Sequence, residues 1–197
     1  MHTPRVKVRI MSLSPVKQEI LETMLLCEKA MSVMEIAAET NKEQQSVRGH
    51  LLGLIRVGYI RIPEKGQYML TAKGKQALGI PETTKETAAA ILAYAPHDKA
   101  FNFYAAVDKP LSLHAHTLRD FANKIDKAEI ASLEFHTQRG DFEMWFRGLG
   151  DEELAKITSF LRQRKAVGEN LRRQLREIVE QRYLTLAQLA GQPVPSE

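Results

Sequence analysis

Residues 40–78 read TNKEQQSVRGHLLGLIRVGYIRIPEKGQYMLTAKGKQAL. Thr40 and Glu43 stand at capping-box spacing, which predicts a helix start. Val47, Leu51, Leu54 and Ile55 follow the i, i+4, i+7, i+8 pattern of a buried helical stripe. Gly58 is placed to stop that helix. Tyr59 to Ile62 read as a short strand, and Pro63 to Gly66 as a turn. Gln67 to Leu70 read as the return strand. Thr71 can cap a further helix. The stretch therefore predicts helix, hairpin, helix.

Upstream, Ser14-Pro15 is a strong helix start, with a capping serine before a proline at the first helical position. Val16, Ile20, Met24 and Cys27 share one face of this helix, which should end near Lys29. Ser32 and Glu35 form a second capping box and open a short helix through Ala38. The few residues between that helix and the next give the short turn of a helix-turn-helix. Before Ser14, Val6, Val8 and Ile10 alternate with Lys7 and Arg9; this segment reads as an edge strand or as a mobile basic arm.

Charge divides the 197-residue chain. Residues 1–79 hold 12 basic and 7 acidic side chains, a net of +5. Residues 80–161 hold 9 and 13, a net of −4, and residues 162–197 hold 7 and 4, a net of +3. A basic first part suits nucleic acid, whose phosphates dominate affinity, and an acidic middle does not. The hydrophobic content of 44% is enough for real cores. One cysteine, Cys27, fits a reducing cytoplasm. No apolar run approaches the roughly 20 residues needed to cross a bilayer, and the basic N-terminus lacks the apolar core of a signal peptide.

Downstream, Gly79 and Pro81 end the first domain. Thr83 and Glu86 predict a capped, Ala-rich connecting helix that stops by Pro96. Residues 99–107 read as a strand with Phe101 and Phe103 on one face, and Pro110 breaks the chain. Helices are predicted after Thr117, over 129–137, around Phe142–Phe146, and after Asp151. The last helix, about 168–190, carries Leu171, Leu175, Ile178, Leu186 and Leu189, with Arg182 interrupting the stripe. It packs on its own domain or pairs with a second copy. The fold class is thus mainly α with a small β content (α+β): 1–79, a connecting segment 80–97, a small domain 98–164, and a terminal helix 165–190.

The helix at Ser14-Pro15, the Ser32 helix, SVRGHLLGLIRVGYI and YMLTAKGKQAL together resemble the winged helix-turn-helix transcriptional regulators of bacteria and archaea. The phrase at Leu70, Thr71 and Gly74 recurs in that superfamily. KAFNFY, TLRDFANKI, SLEFHTQRGDFEMWF and LGDEELA, over about 98–161, resemble a small, mainly archaeal domain of unknown function. The first resemblance implies a DNA-binding fold. The second implies a domain boundary and an archaeal source but no activity.

With Val47 inward, a rotation of about 100° per residue turns Lys42, Gln45, Ser46, Gly49 and Arg56 outward, with Arg48 on the flank. Arginine can read guanine and glutamine can read adenine in the major groove by paired hydrogen bonds. Gly49 would let DNA approach the backbone. In the wing, Arg61, Lys65 and Gln67 are candidates for phosphate or minor-groove contact. The alternative for both sets is an ordinary solvated polar face.

His114 and His116, with His136 or Asp141, could suggest a metal site, but nothing fixes the remaining ligands and structural histidines are the preferred reading. Asp141, Glu143, Asp151, Glu152 and Glu153 could suggest acid–base chemistry, but first-turn carboxylates are explained by capping and the helix dipole. Phe101, Phe103, Tyr104, Phe121, Phe135, Phe142, Trp145 and Phe146 read as the core of the second domain or as the walls of a ligand pocket. No Walker-type loop or dinucleotide-binding glycine pattern occurs.

The sequence therefore reads as a cytoplasmic, sequence-specific regulator of transcription that binds double-stranded DNA, with no enzymatic activity, metal or cofactor. The partners expected are a second copy of the chain, through helix 168–190, and an unknown small-molecule or protein effector. The alternatives are a sequence-independent architectural DNA-binding protein and an adaptor that uses the winged helix on another protein.

Overall fold

Ser14 and Pro15 open a helix where their order predicts one, and from there the chain can be followed almost without a break. The computed structural model describes residues 13–27 and 29–193; the alternation at Val6–Ile10 lies outside them. The chain is mainly helical, with two small sheets, and forms two compact units, Met1–Ile80 and Pro81–Glu197.

The first unit runs α1 (Pro15–Cys27), β1 (Met31–Ser32), α2 (Val33–Thr40), α3 (Gln44–Arg56), β2 (Ile60–Arg61), β3 (Gln67–Leu70) and α4 (Ala72–Ala77). The strands form an antiparallel sheet in the order β1-β3-β2, with Met31 opposite Tyr68 and Ile60 opposite Leu70. The pairing of β1 has no signature in its own two residues. Ile20, Leu21 and Met24 of α1, Ile36 of α2, and Val47, Leu51 and Leu54 of α3 are buried together. These belong to the stripes that the 3.6-residue period predicts, of which Val16, Cys27 and Ile55 are only half-buried.

Helix ends follow local chemistry, though not always at the expected residue. At α2 the Ser32 hydroxyl accepts from the Glu35 N–H at 3.2 Å, and the Ser32 N–H donates to the Glu35 carboxylate at 2.8 Å. That N–H, with the Ser32 hydroxyl, holds the Glu35 carboxyl below its ordinary pKa. Thr40 does not cap α3. It is the last residue of α2, buried, and its hydroxyl donates to the Ile36 carbonyl at 2.7 Å. Asn41 turns the chain at φ 50°, and Glu43 precedes α3 with no side-chain cap bond. Gly58, at φ 77°, ends α3 through paired bonds, Gly58 N–H to the Ile55 carbonyl and Tyr59 N–H to the Leu54 carbonyl.

The second unit runs α5 (Lys85–Ile91), a 3-10 turn (His97–Lys99), β4 (Phe101–Ala106), β5 (Lys109–Ala115), α6 (Leu118–Ile125), α7 (Ile130–Arg139), α8 (Asp141–Gly148), α9 (Glu152–Gln163) and α10 (Gly168–Ala190). Thr84, not Thr83, caps α5, accepting from the Thr87 N–H at 3.2 Å. Ala88 and Ile91 bury α5 against α10, so this helix is built into the second unit. Pro110 does not break the chain. It lies within β5, exposed and opposite Tyr104, at an irregularity of the ladder where its missing N–H is tolerated.

Phe101, Phe103, Phe121, Phe142 and Phe146 form the aromatic heart of this unit. Phe121 meets Phe101 at 5.3 Å and Phe146 at 5.2 Å, both edge to face. Helix α10 lies against α5, α6, α7 and α9, and buries Leu171, Leu175, Ile178, Val179 and Leu186 in its own unit. Arg182, which interrupts the stripe, is buried too. Its guanidinium donates to Asp151 at 2.9 Å and to Glu153 at 2.8 Å, and reaches the Thr83 hydroxyl at 3.3 Å.

Candidate nucleic-acid interface

The buried stripe of α3 determines what its other side presents. Because Val47, Leu51 and Leu54 point inward, Gln45, Ser46, Arg48, Gly49 and Arg56 are exposed on the face away from the core. Neither Arg48 nor Arg56 makes an ion pair among the described residues. Such a face offers a bidentate donor fork, an amide and a hydroxyl to a partner. A Cβ added to Gly49 would meet nothing within 4 Å. The glycine therefore leaves an open gap in the face and is not needed for packing.

Lys42 is placed differently. It precedes α3, in the turn after α2, and its ammonium pairs with Glu19 of α1 at 2.9 Å. It ties the turn to the first helix and does not share the α3 face. Leu52 shares this face, an apolar side chain among the polar ones. It is 66% exposed on α3, between Arg48 and Gln45 on the helical wheel. The same rotation that selected its neighbours would have found it, had apolar residues been admitted. A solvated leucine among polar side chains can contact a thymine methyl group.

The β2–β3 hairpin carries Arg61, Lys65 and Gln67. Arg61 is exposed and its guanidinium reaches the Met69 sulfur at 3.1 Å, across the ladder. Lys65 is exposed in the turn, where Gly66 adopts φ 80° and the Gln67 N–H donates to the Glu64 carbonyl. Gln67 is half-buried and its backbone pairs opposite Ser32. The hairpin tip thus presents Lys65 most openly.

The base of the hairpin is locked to α4. The Thr71 hydroxyl donates to the Gly58 carbonyl at 2.8 Å, with the Tyr59 carbonyl 3.0 Å away, and accepts from the Gly74 N–H at 3.1 Å. Gly74 lies so close to the Tyr59 carbonyl that a Cβ there would sit 2.2 Å from its oxygen. The Leu-Thr-x-x-Gly phrase is therefore a packing device that fixes the hairpin. Lys73 adds to it, donating to the Val57 carbonyl at 2.8 Å at the end of α3.

The histidines and carboxylates of the second unit have structural partners. His114 pairs with Asn102 at 2.6 Å and His116 with the Ala95 carbonyl at 2.9 Å. The His136 ring accepts from the Tyr104 N–H at 2.8 Å through Nε2 and bonds Asp141 at 2.8 Å through Nδ1. No group of three or more His, Cys, Asp or Glu is placed to hold a metal among the described residues. Asp151 accepts from the Leu154 N–H at 3.0 Å as the cap of α9, and Glu143 pairs with Arg162 at 2.6 Å. No described helix is long and apolar enough to cross a membrane. No protein-family profile, curated protein or solved structure matches the chain.

Proposed function

We propose that the first unit is a winged helix-turn-helix and that the chain is a sequence-specific, double-stranded-DNA-binding regulator of transcription. The observation that carries this reading is the outer face of α3. Gln45, Ser46, Arg48, Gly49, Leu52 and Arg56 stand exposed on a helix whose opposite face is fully buried. The order α1-β1-α2-α3-β2-β3-α4 and the three-stranded antiparallel sheet support the reading, as does the net charge of +5 over residues 1–79. In this reading the N-terminal half of α3 enters the major groove. Arg48 and Gln45 contact base edges, Leu52 meets thymine methyls, and Lys65 at the wing tip meets phosphate.

A dimer belongs to the same proposal, because paired modules read two half-sites. Leu171, Leu175, Ile178 and Leu186 of α10 are buried within their own unit while Leu189 is exposed, so the dimer reading rests mainly on the geometry of DNA. The test is retention of sequence preference. Arg48→Ala and Gln45→Ala should each relax discrimination at one base position by about 1–3 kcal/mol. Unchanged preference in both proteins would remove α3 as the reader. Equal affinity for random competitor DNA would favour the architectural reading, and no binding at low salt the adaptor.

A further inference from the structure

The second unit contains a cleft of about 730 Å³, lined by most of the segment between Asp98 and Asp108 and by residues of α7 and α8. Phe101, Tyr104 and Trp145 wall it. Phe101 is buried in the core, and Trp145 is held by its indole N–H, which donates to the Lys99 carbonyl at 2.9 Å. At the rim, Val107 and Met144 are each 65% exposed. Val107 and Met144 thus give the cleft an apolar edge beside its aromatic wall, the lining expected of a small-molecule site.

One cation in this cleft is preorganised by a chain of bonds from the core. The Tyr104 N–H donates to His136 Nε2, which leaves the ring proton on Nδ1, facing Asp141 at 2.8 Å. Asp141 in turn accepts from Arg139 Nε at 3.1 Å, and the guanidinium lies over the Phe135 ring at 5.0 Å. The two terminal nitrogens of Arg139 donate no hydrogen bond among the described residues. A fork fixed on one edge and open on the other suits a carboxylate. Asp98, Lys99 and Asp108 also line the cleft; the two carboxylates, offset in part by Lys99, disfavour a dianion such as a phosphate more than a single carboxylate.

We propose that this cleft binds a small organic monocarboxylate with a planar apolar body, of the arylalkanoate class. Arg139 takes the carboxylate, and the ring lies among Phe101, Tyr104 and Trp145 under the Val107–Met144 rim. The inference uses no part of the DNA-binding reading and is tested without DNA.

Trp145 is the only tryptophan of the chain, so its emission reports on the cleft directly. Phenylacetate titrated into the full chain should change that emission saturably. Phenethylamine, of the same shape and opposite charge, and phenyl phosphate should each bind at least roughly tenfold more weakly. Arg139→Met should weaken phenylacetate about 10- to 100-fold. Met144→Glu, at a side chain already in solvent, should weaken it without touching the packing, and decides the matter if the arginine variant fails to fold. The proposal is overturned by any of three results: no saturable change with phenylacetate up to about 10 mM, equal binding of acid and amine, or unaltered binding in both variants.

Discussion

Two glycines of the first unit, changed to alanine, should have opposite consequences. In an unconstrained helix position this change stabilises by about 1 kcal/mol, because alanine restricts the unfolded chain and favours the helix. Gly49 is such a position, since its added Cβ meets nothing within 4 Å. Gly74 is not. There the Cβ would lie 2.2 Å from the Tyr59 oxygen and 2.7 Å from a Leu70 methyl. The Tyr59 carbonyl cannot simply move, because it accepts from the Thr71 N–H at 3.0 Å and lies 3.0 Å from the Thr71 hydroxyl. Overpacking typically costs about 1–3 kcal/mol. Displacing the carbonyl forfeits one or two bonds at about 0.5–1.5 kcal/mol each. After the helical gain, Gly74→Ala should destabilise by about 2–4 kcal/mol, whereas Gly49→Ala should stabilise by about 0.5–1 kcal/mol. Urea unfolding by far-ultraviolet circular dichroism measures both, with Trp145 emission recording the second unit alone. If Gly74→Ala is neutral or stabilising, the packing assigned to the Leu-Thr-x-x-Gly phrase is wrong. Gly49→Ala should also weaken DNA binding while it stabilises the fold. Tighter stability with unchanged affinity would show that the gap at Gly49 plays no part in recognition.

Further outcomes follow from particular side chains. Arg182→Met leaves Asp151 and Glu153 buried without their cation and should cost the second unit about 3–5 kcal/mol, read from Trp145 unfolding; adding Glu153→Gln should recover part of that loss. Burial holds the His136 pKa below its ordinary value of 6.5, outweighing the bond to Asp141. The unfolded chain therefore binds the proton first, so this contribution to stability is complete above pH 6.5 and is lost as pH falls from there through the folded pKa. His136→Gln should flatten the stability–pH curve of the second unit in that window, and an unaltered curve would exclude His136 as its source. Lys65→Ala should make the salt dependence of DNA affinity shallower by about 0.9 in the log–log slope. An unchanged slope would take the hairpin tip off the phosphates.

The readable parts of the sequence were those decided within one turn of helix. Ser32 and Glu35 meet across three residues, and Thr71 and Asp151 cap as their positions predict, because each bond closes locally. Thr40 and Glu43 have the same spacing and fail, because the Thr40 side chain is drawn into the core and bonds back to Ile36. Strands β1 and β5 lack a local signature for a related reason. Two residues at Met31–Ser32, and a segment containing Pro110, become strands only through the partners Tyr68 and Gln67, far along the chain, in one case and across a hairpin in the other. The exposed face of α3 was legible from the period of its buried stripe. Lys42 was not, since its partner Glu19 lies on another helix. The aromatic set of the second domain, which the sequence offers as core or as pocket wall, divides between the two. Phe103, Phe121, Phe142 and Phe146 fill the core, while Tyr104, Phe135 and Trp145 line a cleft assembled from segments some 30 to 40 residues apart.

Selection of bound sites from random duplex DNA by the full-length chain tests the central proposal most directly. The account predicts an enriched motif made of two related half-sites about one helical turn apart, with preference at one position lost in Arg48→Ala. Recovery of a pool no different from the starting DNA, or a motif that Arg48→Ala and Gln45→Ala leave intact, would contradict it.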